Sequence, residues 1–112
     1  MIACIQIATA TATREDAERI ADSLTAKKLA ACVQIIGPIS SVYRWQGRIE
    51  KATEWLCLIK TERSLYEEAA AAIRELHPYQ TPEVLAFEAV AGSSDYLKWL
   101  SDELRPAETL DR

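Results

Sequence analysis

Apolar residues recur along the chain in short runs that predict strands. Residues 2–8 (IACIQIA) and 30–36 (AACVQII) are such runs. A Gly-Pro pair at 37–38 interrupts the second run without ending it, and a proline at this place indicates a bulge or an edge strand. The block 39–61 predicts a long hairpin, with its turn at 46–48 or at 50–53. Residues 83–90 (EVLAFEAV) predict a further strand.

Two longer stretches have helical periodicity. Thr13 offers an N-cap, with Asp16 three positions on, before an apolar face at Ala17, Ile20, Ala21 and Leu24. Ser64 and Glu67 form an S-x-x-E capping box before the face Ala69, Ala72, Ile73 and Leu76. Pro78 predicts that this second helix ends at about His77.

A third, shorter helix follows Gly92. Ser93 or Ser94 is its expected cap, and its apolar face contains Tyr96, Leu97 and Leu100, with Trp99 alongside. The order β-α-β-β-α-β plus a C-terminal helix predicts an α+β, ferredoxin-like split βαβ fold with an antiparallel sheet. We expect one domain over residues 1–112, with 107–112 as a frayed tail.

Both faces of the predicted sheet are apolar, although one face should be open to water. Ile5 and Ile7 point to one side and Cys4 to the other, and Leu56 and Leu58 oppose the cysteine at 57 and its neighbours. Something must therefore cover the second face. Another copy of the chain would do so, which predicts a homo-oligomer. A monomer with a well-placed final helix satisfies the same pattern.

Composition narrows the function classes. The 112 residues carry a formal net charge of -4 and show no basic stripe, so nucleic acid is not an expected partner. No apolar run reaches the length of a membrane span. The N-terminal stretch lacks the basic region of a signal peptide. Three well-separated cysteines (4, 32, 57) argue against a disulfide framework, so a reduced, cytoplasmic setting is predicted.

Catalytic motifs are not found in the sequence. The chain has one histidine and three glycines, and it contains neither a nucleophile elbow nor a glycine-rich phosphate loop. No pair of carboxylates lies in an apolar stretch that would raise the pKa of one and make the two a general acid and a general base. The chain is therefore predicted not to be an enzyme, and no cofactor is required.

Five blocks in order resemble one known family. They are LAACVQI (29–35), SVYRWQGRIE (41–50), WLCLIKT (55–61), ELHPYQTPEVLAF (75–87) and YLKWL (96–100). Together they are similar to the CutA divalent-cation tolerance family. The resemblance implies a ferredoxin-like protomer, a tight homotrimer, and a link to tolerance of copper and other divalent cations. Trimers of the PII signalling class are similar and bind small ligands between subunits, an analogy from fold alone.

Two residues are candidate metal ligands. His77, the single histidine, could offer an imidazole nitrogen to copper, or it could end a helix and hydrogen-bond a free carbonyl. Cys32, in the family block AACV, could supply a soft thiolate to Cu(I), or it could be an inert, small apolar residue.

Four residues are candidates for an intersubunit cleft: Trp45, Lys60, Tyr79 and Glu83. Lys60 could face an anionic ligand, or it could reach solvent or pair with Glu83 or Glu54. Aromatic residues also anchor interfaces, an interpretation that suits Tyr43 and Trp45, whereas Tyr79 and Glu83 suit the cleft.

The sequence therefore predicts a trimeric, cytoplasmic protein that acts in divalent metal tolerance and binds copper or a similar ion weakly. Two alternatives stay open. One is a PII-like signalling protein whose intersubunit cleft binds a small anion through Lys60, Tyr79 and Glu83. The other is a trimeric scaffold for other proteins.

Overall fold

Four antiparallel strands form a sheet in the order β2-β3-β1-β4 in the computed structural model, which describes residues 2–108. Three α-helices accompany the sheet. The elements in chain order are β1 (Cys4–Thr11), α1 (Arg14–Ala26), β2 (Cys32–Trp45), β3 (Arg48–Glu62), α2 (Tyr66–Leu76), β4 (Leu85–Glu88) and α3 (Ser94–Asp102). This topology confirms the predicted ferredoxin-like α+β fold.

The hairpin of β2 and β3 is the longest feature of the sheet. Its turn is the pair Gln46-Gly47, and Trp45 faces Arg48 across it. Both turn residues have positive φ angles, 51° and 78°, as a two-residue type I′ turn requires. The turn therefore lies at the first of the two predicted places. The register shifts between Ile36 and Ile39, so the Gly-Pro pair forms a bulge in an edge strand, as predicted.

The helix starts were predicted with mixed success. Thr13 caps α1, and its hydroxyl accepts a hydrogen bond from Asp16 N at 3.1 Å, as predicted. Ser93 caps α3 in the same way, through Tyr96 N. The capping box at Ser64 is wrong. A 3-10 turn at Arg63–Leu65 precedes α2, so Ser64 lies inside that turn and its side chain caps nothing.

Helices α1 and α2 cover one face of the sheet. Residues directly opposite each other on paired strands share a face, and so do alternate residues along one strand. The covered face carries Ile5 and Ile7 of β1 and Cys57 and Ile59 of β3, which pack with Ala17, Ile20, Leu24 and Ile73 of the helices. All of these side chains are buried, and they form the core.

The opposite face, which we call the open face, carries the alternate residues. It includes Cys4, Gln6, Ala8 and Ala10 of β1, Leu56, Leu58 and Lys60 of β3, Cys32, Gln34 and Ile36 of β2, and Leu85 and Phe87 of β4. Ile36, Leu85 and Phe87 remain 47%, 55% and 54% exposed. Both faces are thus apolar, as the sequence pattern predicted.

Helix α3 lies at one end of the sheet and does not cover the open face as a whole. Tyr96 and Leu97 border a hollow beside Cys4, Gln6 and Lys60. The chain then turns back toward α1 and α2, where Arg105 N donates to Lys28 O at 2.9 Å and the Arg105 guanidinium pairs with Glu68 at 2.7 Å. This ion pair and its hydrogen bond hold the pKa of Glu68 below its ordinary value. Within residues 2–108, no helix is long and apolar enough to cross a membrane. Of the predicted frayed tail, residues 109–112 lie outside the described part.

Candidate functional site

A cleft of about 570 Å³ lies where the hairpin meets the segment that follows α2. Three of its lining residues are aromatic: Tyr43, Trp45 and Tyr79. Two are acidic: Glu54 and Glu83. The remainder are small or polar: Ala10, Ser41, Val42, Gln80 and Thr81.

The cleft belongs to the open face of the sheet. Tyr43 and Trp45 alternate along β2 with Ser41, and the pairing register places Glu54 of β3 in line with Leu56 and Leu58. Ala10, the partner of Leu56 on β1, is on the same face. The cleft is therefore continuous with the apolar surface that one protomer leaves uncovered.

The end of α2 brings the second wall into place. Because Pro78 follows, His77 takes an extended conformation (φ -75°, ψ 129°), and its N–H still donates to Ile73 O at 2.9 Å. The chain then leaves the helix and passes Ala10 at the edge of β1. This path carries Tyr79 and Glu83 to the cleft.

His77 fastens this segment to β1. Its Nε2 lies 2.8 Å from the carbonyl oxygen of Ala10, and its Nδ1 accepts a hydrogen bond from Tyr79 N at 3.2 Å. A carbonyl can only accept, so the ring is neutral with its proton on Nε2. Strand β4 pairs with β1 only as far as Ala8, and the imidazole therefore satisfies a carbonyl that lies beyond the end of β4.

Tyr79 links this segment to β3. Its hydroxyl donates to Glu54 Oε2 at 2.7 Å, and its ring lies against His77 with the centroids 4.8 Å apart. Burial raises the pKa of Tyr79 well above its ordinary value, and the hydrogen bond to the Glu54 carboxylate raises it further. The phenol is therefore a firm hydrogen-bond donor at neutral pH.

The cleft is acidic. Glu54 is only 8% exposed, and Tyr79 is its hydrogen-bonding side chain. Among residues 2–108, no lysine, arginine or histidine forms an ion pair with Glu54, and the ten residues that line the cleft include no lysine or arginine. Buried carboxylates are normally paired, so this site favours a positively charged guest.

The structure brings three of the four predicted cleft residues together, namely Trp45, Tyr79 and Glu83. Lys60 lies elsewhere. Its Nζ donates to Gln34 Oε1 at 2.6 Å, and it borders the hollow beneath α3. It pairs with neither Glu54 nor Glu83. Lys60 and Glu54 are six residues apart on β3, which corresponds to about 20 Å.

The two predicted metal ligands are not neighbours. Cys32 pairs with Lys60, whose partner on β1 is Gln6, four residues from the Ala10 carbonyl that His77 binds. That separation is about 13 Å along the strand alone. Both ring nitrogens of His77 are already engaged. Over the part of the chain that the structure describes, no cluster of three or more His, Cys, Asp or Glu side chains could hold a metal ion.

The other thiols are protected. Cys4 and Cys57 are buried, and burial raises the pKa of both, that of Cys57 to about 11. Cys32 is half-buried on the open face and is the most accessible of the three.

Sequence reasoning considered Glu54 only as a possible partner of Lys60 and missed its place in the cleft. A signal was present. Glu54 alternates with Leu56 and Leu58, so it was an acidic residue on an otherwise apolar face. Gln80 and Thr81, which also line the cleft, had no comparable signal, because they lie in a loop whose path depends on α2 and β1.

Comparison with known proteins identifies relatives over most of the chain. The family model "CutA1 divalent ion tolerance protein" matches residues 4–103. The chloroplastic protein CutA of Arabidopsis thaliana is 41% identical over 92 residues, which are 82% of this chain and 50% of that protein. The chain thus spans only half the length of that relative.

Solved structures agree. The crystal structure of CutA1 from Oryza sativa superposes with a TM-score of 0.91 at 35% identity, covering 95% of this chain and 97% of that one. The periplasmic divalent cation tolerance protein CutA from Archaeoglobus fulgidus gives a TM-score of 0.88 at 36% identity, covering 91% and 99%.

These relatives correct one prediction. The cytoplasmic location expected from the reduced cysteines is overturned, because one relative is named periplasmic and another chloroplastic. Buried free cysteines are stable in the cytoplasm, the periplasm and the chloroplast alike, so they do not indicate in which compartment a protein is located. With a family match over residues 4–103 and the same fold at 35% identity, the chain belongs to the CutA1 divalent ion tolerance protein family.

Proposed function

We propose that the protein acts in divalent metal ion tolerance by binding copper or a similar ion weakly, and that it does so as a homotrimer. One observation carries the metal-binding part. Glu54 is a buried carboxylate without a basic partner, and it opens into a cleft that holds a second glutamate and no cationic side chain. Such a carboxylate gains most from a bound cation.

Weak binding follows from the number of ligands. The described residues of one protomer offer no cluster of three metal-ligating side chains. Carboxylates alone suit copper less well than imidazole or thiolate does. Water or a neighbouring subunit must supply the remaining ligands, and both conditions limit affinity. The cleft does not favour the anionic ligand of the PII-like alternative, because Lys60 is remote from it.

Cys32 and His77 enter this proposal differently. His77 holds the cleft wall in place through Ala10 and Tyr79, and a metal ion could reach its Nδ1 only by breaking the bond from Tyr79 N. Cys32 is half-buried on the open face, and its thiolate could bind Cu(I). Each can be tested by substitution.

The trimer proposal is supported by uncovered apolar surface. On the other face of the hairpin, Val42 and Ile49 are 63% and 66% exposed. The open face itself exposes Ile36, Leu85 and Phe87 by about half. Contiguous apolar surface of this kind is normally buried against a partner. A second and third copy of the chain would cover it and would close the cleft from outside. Sedimentation equilibrium should give three times the chain mass across a wide dilution series, and a monomeric mass would contradict the trimer.

Copper titration with a competing chelator tests the metal site. Glu54→Gln removes the negative charge but keeps an oxygen that can accept the hydrogen bond from Tyr79. Copper affinity should fall by about tenfold, because a charge-assisted contact is lost. Glu67→Gln, an exposed acid on the outer side of α2, is the matched control and should bind as the parent does. Equal affinity of the parent and Glu54→Gln would refute the site.

A further inference from the structure

A metal ion does not account for the size and walls of the cleft. Its volume of about 570 Å³ lies in the range of pockets for small organic ligands. Three aromatic rings line it: Tyr43, Trp45 and Tyr79. Aromatic rings contribute little to a hydrated metal ion, whereas they bind ligands that have an apolar body.

The aromatic residues are arranged by strand geometry. Tyr43 and Trp45 are alternate residues of β2, so both stand on the open face about 7 Å apart. They are 45% and 41% exposed in a single protomer, so the protomer itself leaves their rings accessible to a guest in the cleft. Tyr79 faces them from the segment after α2, held by its hydroxyl bond to Glu54 and its ring contact with His77.

Electrostatics selects the charge of the guest. The faces of aromatic rings carry negative potential and attract cations. Glu54 and Glu83 add two carboxylates to the same cleft. Two cations pair with lining residues of β2, Lys51 with Val42 and Arg48 with Trp45, but neither is among the residues that line the cleft. The aromatic rings and the carboxylates therefore both favour a positively charged ligand.

We propose that this cleft binds a small organic cation, an amine or quaternary ammonium compound, with its charge between the carboxylate of Glu54 and the rings of Tyr43, Trp45 and Tyr79. The ligand is a free small molecule, since the cleft volume matches one. This inference stands on the cleft alone and does not require that the protein bind copper.

The first experiment separates charge from shape. Tetramethylammonium, choline and putrescine are titrated into the full-length protein by calorimetry, in the presence of a metal chelator. The neutral compound 3,3-dimethylbutan-1-ol, which has the shape of choline without its charge, is the control ligand. At least one of the cations should bind in the millimolar range or tighter, and the neutral compound should not. Equal binding of choline and its neutral analogue would overturn the proposal, as would failure of all three cations to bind.

The second experiment locates the site. Trp45→Leu should weaken cation binding by about tenfold, and Trp45→Phe should restore part of it, because phenylalanine keeps a π face. Trp99→Leu is the matched control, because Trp99 is similarly exposed, 44% against 41%, but lies on α3. Glu54→Gln should weaken the binding of the same cation. Unchanged binding in Trp45→Leu, or an equal loss in Trp99→Leu, would place the ligand elsewhere.

The same variants keep this proposal distinct from the metal proposal. Trp45→Leu removes no metal-ligating atom, so copper affinity should be unchanged while organic-cation affinity falls. A protein that binds choline in chelator and does not bind copper would refute the metal site alone. A protein with the reverse behaviour would refute the organic-cation site alone.

Discussion

Replacement of His77 should reveal a structural histidine. The imidazole is buried, donates to the Ala10 carbonyl at 2.8 Å and accepts from Tyr79 N at 3.2 Å. In His77→Ala both bonds are lost, and the Ala10 carbonyl is left without a partner in a residue that is 6% exposed. Water cannot easily replace the ring at such a site.

The expected cost can be built from these contacts. A buried carbonyl without a partner costs about 1–3 kcal/mol, and the longer bond from a half-buried N–H adds roughly 0.5–1 kcal/mol. Loss of the ring packing against Tyr79 brings the total to about 3 kcal/mol. For a domain of this size, the midpoint of thermal unfolding should fall by roughly 12 °C.

Two further variants separate the two hydrogen bonds. His77→Gln places an amide N–H donor near the position of Nε2 and should keep the bond to Ala10, losing only about 1 kcal/mol. His77→Asn offers an oxygen near the position of Nδ1 and should keep only the bond from Tyr79 N, losing about 2 kcal/mol. Denaturant unfolding measures both losses, at one fixed protein concentration because the proposed assembly would also contribute to stability.

Two outcomes would refute this argument. If His77→Ala lowers the free energy of unfolding by less than about 1 kcal/mol, the ring does not hold the segment. If His77→Asn is more stable than His77→Gln, the Ala10 bond is not the dominant one. Copper titration of His77→Gln addresses the metal-ligand interpretation. Unchanged affinity removes the ligand role, and lost affinity in a stable variant establishes it.

Three further substitutions test the packing at Gly37, the burial of Cys57 and the proposed subunit interface. Gly37→Ala would place a Cβ in steric overlap with the indole ring of Trp55, so denaturant unfolding should show a loss of about 1–3 kcal/mol. Gly92→Ala should change stability little, because its Cβ meets only the flexible side chain of Leu97 at 3.3 Å. Burial raises the pKa of Cys57 from 9.0 to about 11, so its contribution to stability is complete below pH 9.0 and is lost toward pH 11. Between these pH values the free energy of unfolding should fall with pH in the parent. The slope should be steeper than that of Cys57→Ala by about 1.4 kcal/mol per pH unit. Phe87→Glu puts a charge on the open face and should lower the mass measured by light scattering to that of one chain; an intact trimer would contradict the proposed interface.

Much of the fold was predictable because local patterns and tertiary pairing agree. The Thr13 cap, the bulge at the Gly-Pro pair and the helix end at His77 each depend on a few adjacent residues, and each is where the sequence predicts it. Strand lengths were less predictable. The first strand was expected at residues 2–8 but extends to Thr11, because Thr9, Ala10 and Thr11 find partners on β3.

The fourth strand is shorter than its sequence pattern predicts, again because of the partner that is available. Its apolar run covers residues 83–90, yet only Leu85–Glu88 pair, with residues 5–8 of β1. Past Ala8, the edge of β1 is occupied by His77 rather than by a strand. A run of apolar residues predicts that a strand forms, but the length of the strand depends on the partner that is available.

The candidate site was predictable to the extent that its residues share a strand face. Alternation places Tyr43 and Trp45 of β2 side by side, and the pairing register adds Glu54. Tyr79 and Glu83 could be chosen by residue type, but their arrival at the cleft depends on the path after α2. Lys60 does not line the cleft of a single protomer. A charge at the end of an apolar strand does not indicate which end of the hairpin the cleft occupies.

The open face changes from apolar to acidic and aromatic along its length, and this change connects the proposed assembly to the candidate site. It presents Leu56 and Leu58 on the central strand β3 and Phe87 on the edge strand β4, an apolar part that another apolar surface would cover. One alternation step further along β3, at Glu54, it turns acidic, and Tyr43 and Trp45 of β2 make it aromatic. In the proposed trimer, a subunit seated on the apolar part would therefore border the cleft. Substitutions that weaken assembly should also weaken cation binding, whereas substitutions at Glu54 that keep the Tyr79 hydrogen bond should leave assembly intact.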